Sequence, residues 1–203
     1  MKSIISAEVN DFFEIHSQNI ELISIKNPDL DEIEVLSKEI INSTKELELR
    51  WVQDINDLGN IENLLPASLS SDQKNMLINQ ISKSSKILGT ILKCSKFTVR
   101  LAKLRSPMCP LFHVDQIPCR LLISLYGNGT EWIENDMVDW EILLDRHNMN
   151  VPLKEHGKIR QMSTGNWCFL KGGKWQSNFH GVVHRSPHEI SDRLLLSLDP
   201  ILG

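Results

Sequence analysis

No stretch of this sequence is apolar for long enough to cross a bilayer; the best run, Leu121 to Tyr126, is short and contains Ser124. An excess of charge of one sign is also missing. Lys and Arg number 22 against 26 Asp and Glu, a net charge of -4, so a partner held mainly by phosphate charge is disfavoured and nucleic acid is not expected. The four cysteines, Cys94, Cys109, Cys119 and Cys168, form no C-x-x-C pair in a chain large enough to fold without staples, and they read as reduced thiols. Repeats and low-complexity segments are absent. The opening residues, Met1 to Glu8, lack the apolar core and small-residue cleavage site of a secretory signal, so the expected location is cytoplasmic.

What is present suits one globular domain over residues 1–203, because 41% hydrophobic and 24% charged residues allow a sizeable core with a solvated surface. Its texture changes near residue 95. Upstream, residues 19–26 read as a short strand closed by Asn27-Pro28, a cap followed by a favourable first helical residue. Ile33, Leu36, Ile40 and Leu47 then recur at helical spacing, which predicts a helix over residues 28–50. Ser70-x-x-Gln73 is a capping-box signal ahead of Leu77, Ile81, Leu88 and Ile91, which predicts a second helix over 71–91. Residues 1–95 are therefore expected to be a mainly helical support region.

Downstream, short β-rich runs alternate with Gly, Pro and Asn: residues 97–101, 121–126, 167–170, 180–184 and 193–198. That spacing predicts a β-sandwich or jelly roll over residues 96–203, hence an α+β fold with the amino-terminal helices packed on it. Five of the seven histidines fall in the last third and His113 lies just upstream, so chemistry is expected in the second half.

The strongest candidate site begins at His113-Val114-Asp115. In an extended chain, residues two apart project to the same side, so this imidazole and carboxylate can take adjacent positions on one metal ion. His184 closes a later β-like run, and Arg193 follows it by nine positions at the start of the last one. Two His and one carboxylate with open positions is the facial arrangement of non-haem Fe(II) oxygenases, and an arginine fork nearby can anchor a carboxylate.

The constellation resembles the 2-oxoglutarate- and Fe(II)-dependent dioxygenase superfamily, whose double-stranded β-helix carries His-x-Asp, a distal His and a basic residue about ten positions beyond it. More closely, Cys109-Pro110-Leu111-Phe112-His113-Val114-Asp115, Gly127-Asn128-Gly129-Thr130-Glu131-Trp132 and His184-Arg185-Ser186-Pro187 are similar to a bacterial family known as a domain of unknown function. The resemblance implies His113, Asp115 and His184 as ligands of Fe(II), and Arg193 as the anchor of 2-oxoglutarate. His180 and His188 compete for the distal position; their intervals of thirteen and five residues to Arg193 fit less well. Ser191 and Tyr126 are further candidates for binding the co-substrate's oxygens. The implied activity is oxidation of an acceptor, a small molecule or protein of unknown identity, coupled to decarboxylation of 2-oxoglutarate.

Two other classes compete. Cys109, His113, Cys119 and His184 offer sulfur and nitrogen donors suited to zinc, as in a metal-binding or metal-homeostasis protein without turnover. A jelly-roll binding module with vestigial oxygenase residues is the third. The tryptophans Trp132, Trp140, Trp167 and Trp175 are expected mostly to pack, and the basic stretch Lys93, Lys96, Arg100, Lys103 and Arg105 is expected to form a solvated face.

Overall fold

The computed structural model describes residues 2–145, 147–176 and 179–202. Strand β1 (Lys2–Ser6) lies parallel to β2 (Ile20–Ile25), and a 3-10 segment (Val9–His16) joins them. Helix α1 (Leu30–Ser43), strand β3 (Glu48–Asp54), the short α2 (Ile61–Leu64), helix α3 (Ser71–Leu92) and strand β4 (Lys96–Leu104) follow. The remainder supplies β5 (Cys119–Tyr126), β6 (Glu131–Ile133), the short α4 (Trp140–Leu144), β7 (Arg160–Gln161), β8 (Trp167–Lys171), β9 (Val183–Arg185) and β10 (Arg193–Pro200). A seven-stranded sheet has the order β1-β2-β8-β5-β10-β4-β3, and a three-stranded sheet the order β7-β6-β9. The result is a mixed α+β fold.

Helix α3 begins where the capping box predicts: the Ser70 hydroxyl accepts from Gln73 N (3.2 Å) and the Gln73 side chain accepts from Ser70 N (3.1 Å). Helix α1 is shorter than its apolar spacing suggests. It stops at Thr44, whose hydroxyl donates to Ile40 O (2.6 Å), and the residues from Glu48 turn into the edge strand β3. Across Glu48-Leu49-Arg50-Trp51-Val52 the pattern has a period of two, and pairing with β4 along its length overrides the helical reading. Strands β1, β2 and β3 all lie in the first 95 residues, so the large sheet reaches well into the amino-terminal half.

The alternation of β10 explains both faces of that sheet. Leu194, Leu196 and Leu198 point to the main core, which they share with Ile33 and Ile40 of α1 and Leu77 and Ile81 of α3. Arg193, Leu195, Ser197 and Asp199 point the other way, toward the small sheet. There the interior is apolar on one side, where Leu22, Leu122, Leu170 and Leu195 meet Trp132 and Val182, and becomes polar on the other. The polar part is a cavity of about 310 Å³.

Candidate metal and co-substrate site

His113 lies in the connection between β4 and β5 and makes a single antiparallel bridge to His184 of β9, exchanging both backbone hydrogen bonds at 3.0 Å. The two imidazoles are thereby set directly opposite each other, with ring centroids 4.6 Å apart. Asp115, two residues on, is held by its carbonyl, which accepts from Gly173 N at 2.9 Å. Gly181, ahead of β9, has φ +91°, and a Cβ there would meet Val114 Cγ1 at 2.4 Å. Only glycine lets the turn before His184 lie against the His113–Asp115 segment.

Each histidine is oriented by the chain. Nδ1 of His113 is 3.0 Å from Leu111 O and Nδ1 of His184 is 2.9 Å from Val182 O. A carbonyl only accepts, so Nδ1 carries the proton in both rings and Nε2 presents a lone pair. Those Nε2 atoms face Asp115: His113 at 3.6 Å from Oδ1, His184 at 3.3 Å from Oδ2. One ligand atom from each of the three residues falls within 4.8 Å of the others. Two lone pairs and a carboxylate converging on one point repel each other unless a cation stands between them, so the donor set fits a divalent ion.

Arg120 and Asp199 extend this arrangement. Nη1 of Arg120 donates to Asp115 Oδ2 (2.6 Å), while its Nε and Nη2 donate to the two oxygens of Asp199 (2.6 and 2.8 Å). Burial raises the pKa of Asp115, but when a second proton occupies Nε2 of the histidines their hydrogen bonds and the charge of His184, together with the Arg120 guanidinium, outweigh it and hold the carboxyl well below its usual range; the neutral rings instead leave Nε2 free for an ion. Sequence reasoning missed Arg120 and Asp199. Period-two alternation from Arg193 would have put Asp199 on the same face.

Arg193 opens the same cavity from the other side and is 4% exposed. Its Nη2 donates to Ser124 Oγ (3.2 Å) and Thr130 Oγ1 (3.3 Å), both neutral, and its buried Nε has no partner. Burial pushes its pKa down to about 10. A buried guanidinium with an unused donor and no carboxylate beside it is a ready receptor for an external one.

The family model that matches residues 6–199 is described as "Protein of unknown function (DUF1826)". The chain belongs to the DUF1826 family. No curated protein matches it. Among solved structures it is similar to the dioxygenase for auxin oxidation of rice, at 10% identity over 100% of this chain and 83% of that one, with a TM-score of 0.61. The Arabidopsis thaliana dioxygenase for auxin oxidation 1, in complex with 2-oxoglutarate, shares 12% identity over 100% and 93%, TM-score 0.58. The Fe(II)/α-ketoglutarate-dependent dioxygenase TqaL shares 13% over 95% and 86%, TM-score 0.52. These likenesses show the fold, a dioxygenase-type jelly roll.

Within this DUF1826 chain the other sequence candidates fall elsewhere. Tyr126 and Ser191 do not line the cavity that holds His113, Asp115 and His184; both line a separate one against Leu30 and Ile33 of α1. The cause for Tyr126 is a bulge in β5. Leu194 pairs with Tyr126 but Leu195 pairs with Ser124, so Leu125 is an extra residue; Tyr126 shifts to the helix side, while Ser124 keeps the cavity side that it shares with Arg120 and Leu122. Cys119 alternates with Arg120 and is buried in the main core, where burial pushes its thiol up, so the mixed sulfur and nitrogen set for zinc is not assembled. His180 stacks on Trp140, rings 4.6 Å apart, and the exposed His188 uses its backbone N–H on Glu131 (3.3 Å). The basic stretch is not one solvated face either. Arg100 lines the cavity, whereas Lys103 is turned away and donates to Ile41 O and Thr44 O (2.6 and 2.8 Å). No described helix is long and apolar enough to cross a membrane.

Proposed function

We propose that this protein is a non-haem Fe(II)- and 2-oxoglutarate-dependent oxygenase of the hydroxylase type. The observation that carries the reading is the pairing, in one cavity, of the His113–Asp115–His184 donor set with a buried arginine that has only neutral partners. Nε2 of His113, Nε2 of His184 and one oxygen of Asp115 hold the ion. Bound Fe(II), with 2-oxoglutarate and O2, supplies oxidation of an acceptor C–H to C–OH, balanced by conversion of 2-oxoglutarate to succinate and CO2.

The chain's own contribution is placement. The Leu111 and Val182 carbonyls fix the imidazole tautomers, and Arg120 holds the carboxylate in the orientation that a metal ligand needs. The guanidinium of Arg193 would take the distal carboxylate of 2-oxoglutarate, with the hydroxyls of Ser124 and Thr130 beside it in the role expected of Ser191 and Tyr126. The apolar contacts of Leu122 and Leu195 exclude water from one wall.

Anaerobic titration of Fe(II) should show binding in the parent and its loss in His113→Ala and His184→Ala. Calorimetry should show 2-oxoglutarate binding that depends on the ion, and O2 should release succinate. A parent that holds zinc tightly but binds no 2-oxoglutarate would return the protein to the class of metal-binding proteins without turnover.

A further inference from the structure

One wall of the cavity comes from β3 and β4, and it carries an arrangement that the oxygenase reading leaves unused. Arg50 of the edge strand β3 lies directly opposite Arg100 of β4 in the antiparallel register, and both line the cavity. Like charges placed opposite one another on a sheet are unfavourable. Arg100 is already committed: Nε and Nη2 donate to Glu48 (2.7 and 3.0 Å), and Nη1 lies against Met108 Sδ. Arg50 is exposed, and among the described residues it has neither a hydrogen bond nor an ion pair.

The charge balance points the same way. Five arginines and three carboxylates line the cavity. Arg120 is taken up by Asp115 and Asp199, Arg185 by Glu131 outside the cavity, and Arg100 by Glu48. Arg193 and Arg50 remain. A divalent ion and dianionic 2-oxoglutarate cancel in formal charge and engage Arg193, which leaves the positive charge at Arg50 facing whatever enters next.

We infer that the mouth of the cavity is an anion subsite in which Arg50, backed by Arg100, binds the carboxylate or phosphate of a small organic acceptor. This rests on the oxygenase reading and names the class of its substrate. Arg50 is two strand spacings, roughly 10 Å, from Ser197 of β10, a span that one small molecule bridges. Two positions along β10 from Ser197 lies Asp199, which holds Arg120 and through it Asp115. An acceptor anchored at Arg50 therefore extends toward the metal ligands. The cavity, about 310 Å³, has room for a small acceptor beside 2-oxoglutarate.

The test loads the protein anaerobically with Fe(II), measures 2-oxoglutarate binding by calorimetry, and then titrates the saturated complex with hexanoate, hexyl phosphate and the neutral hexanamide. The inference expects at least one anion to bind better than hexanamide, whichever of the two is preferred naming the carboxylate or phosphate class. Arg50→Gln should lose that advantage by roughly tenfold or more and Arg50→Lys should keep most of it. Equal binding of hexanamide and both anions, or undiminished anion binding in Arg50→Gln, overturns the subsite while leaving the oxygenase reading in place. A parent that binds no 2-oxoglutarate in the first titration overturns both. Thermal unfolding of Arg50→Gln guards against a folding defect, and relief of the like-charge pair should leave its midpoint unchanged or raised.

Discussion

Arg193 should cost stability in the empty protein and repay it on ligand binding, and replacing it with Met separates the two effects. Its folded pKa, about 10 and well below that of a free guanidinium, corresponds to about 3 kcal/mol of penalty for holding the charge where it is buried. For a base with a lowered pKa, that penalty is present at every pH below about 10 and is relieved only as pH rises from there toward the free guanidinium's value, so it is constant from pH 6 to 8. Met fills much of the same volume without charge. Loss of the bonds to Ser124 and Thr130 returns about 1 kcal/mol each, since those hydroxyls can re-pair only in part. Arg193→Met should thus be more stable than the parent by about 1–2 kcal/mol in urea unfolding without metal or 2-oxoglutarate. With Fe(II) present, 2-oxoglutarate should bind the variant roughly 30- to 1000-fold more weakly, the equivalent of about 2–4 kcal/mol, while Fe(II) affinity survives. A variant less stable than the parent would refute the burial argument, and unchanged 2-oxoglutarate affinity would remove Arg193 from the co-substrate site.

Glu21 is fully buried, and burial, opposed by hydrogen bonds from Asn135, pushes its carboxyl up to about 7 from 4.5. The stability it permits is present below pH 4.5 and lost as pH rises through 7, so Glu21→Gln should gain up to about 3 kcal/mol on the parent between pH 4.5 and 8 in urea titrations, and a gap that does not change with pH would contradict this. Arg120→Gln should weaken Fe(II) binding roughly 10- to 100-fold in anaerobic titration, because Asp115 loses the group that orients it; full affinity would mean that the carboxylate orients itself. Tyr126→Phe should leave 2-oxoglutarate affinity unaltered, since the side chain lies on the helix side of the sheet, and a tenfold loss by calorimetry would put Tyr126 back in the site.

Parts of this architecture were legible because a local pattern and a tertiary contact agree. Ser70 and Gln73 announce α3, and the leucines of β10 alternate with Arg193, Ser197 and Asp199 so regularly that one face had to be apolar and the other polar. Spacing puts His113 and Asp115 on one side of an extended chain, the family resemblance adds His184, and the structure brings the three together. Other parts have no local signal. The run from Leu47 to Trp51 continues a helical spacing by chance, and only the presence of β4 beside it makes a strand the better solution. The extra residue at Leu125, opposite the Leu194–Leu195 step, turns Tyr126 away from the cavity, and nothing in either strand's composition marks it. The Arg120–Asp199 contact joins residues 79 apart in sequence, a distance at which one sequence carries no pairing information.

The two sheets divide the work of the site, and that division has an energetic consequence. Arg193, Ser124, Arg120 and Asp199 stand on the broad seven-stranded sheet, whose other face is fixed by the main core. His184 stands on a strand of three residues in the small sheet, and His113 is tied to it by one bridge. Short strands with so few ladder bonds are the part of such a fold that opens most easily. Asp115 reaches across: its backbone is held by Gly173, its side chain by Arg120 of the large sheet, and its oxygens face both histidines of the other side. An ion bound by all three residues therefore connects the weakly held side to the rigid one, and its binding free energy adds to the stability of the small sheet. On the proposed oxygenase reading, co-substrate binding should depend on the metal: Arg193 would hold one end of 2-oxoglutarate without the ion, but the other end would meet its partner only when the ion is bound by His113, Asp115 and His184.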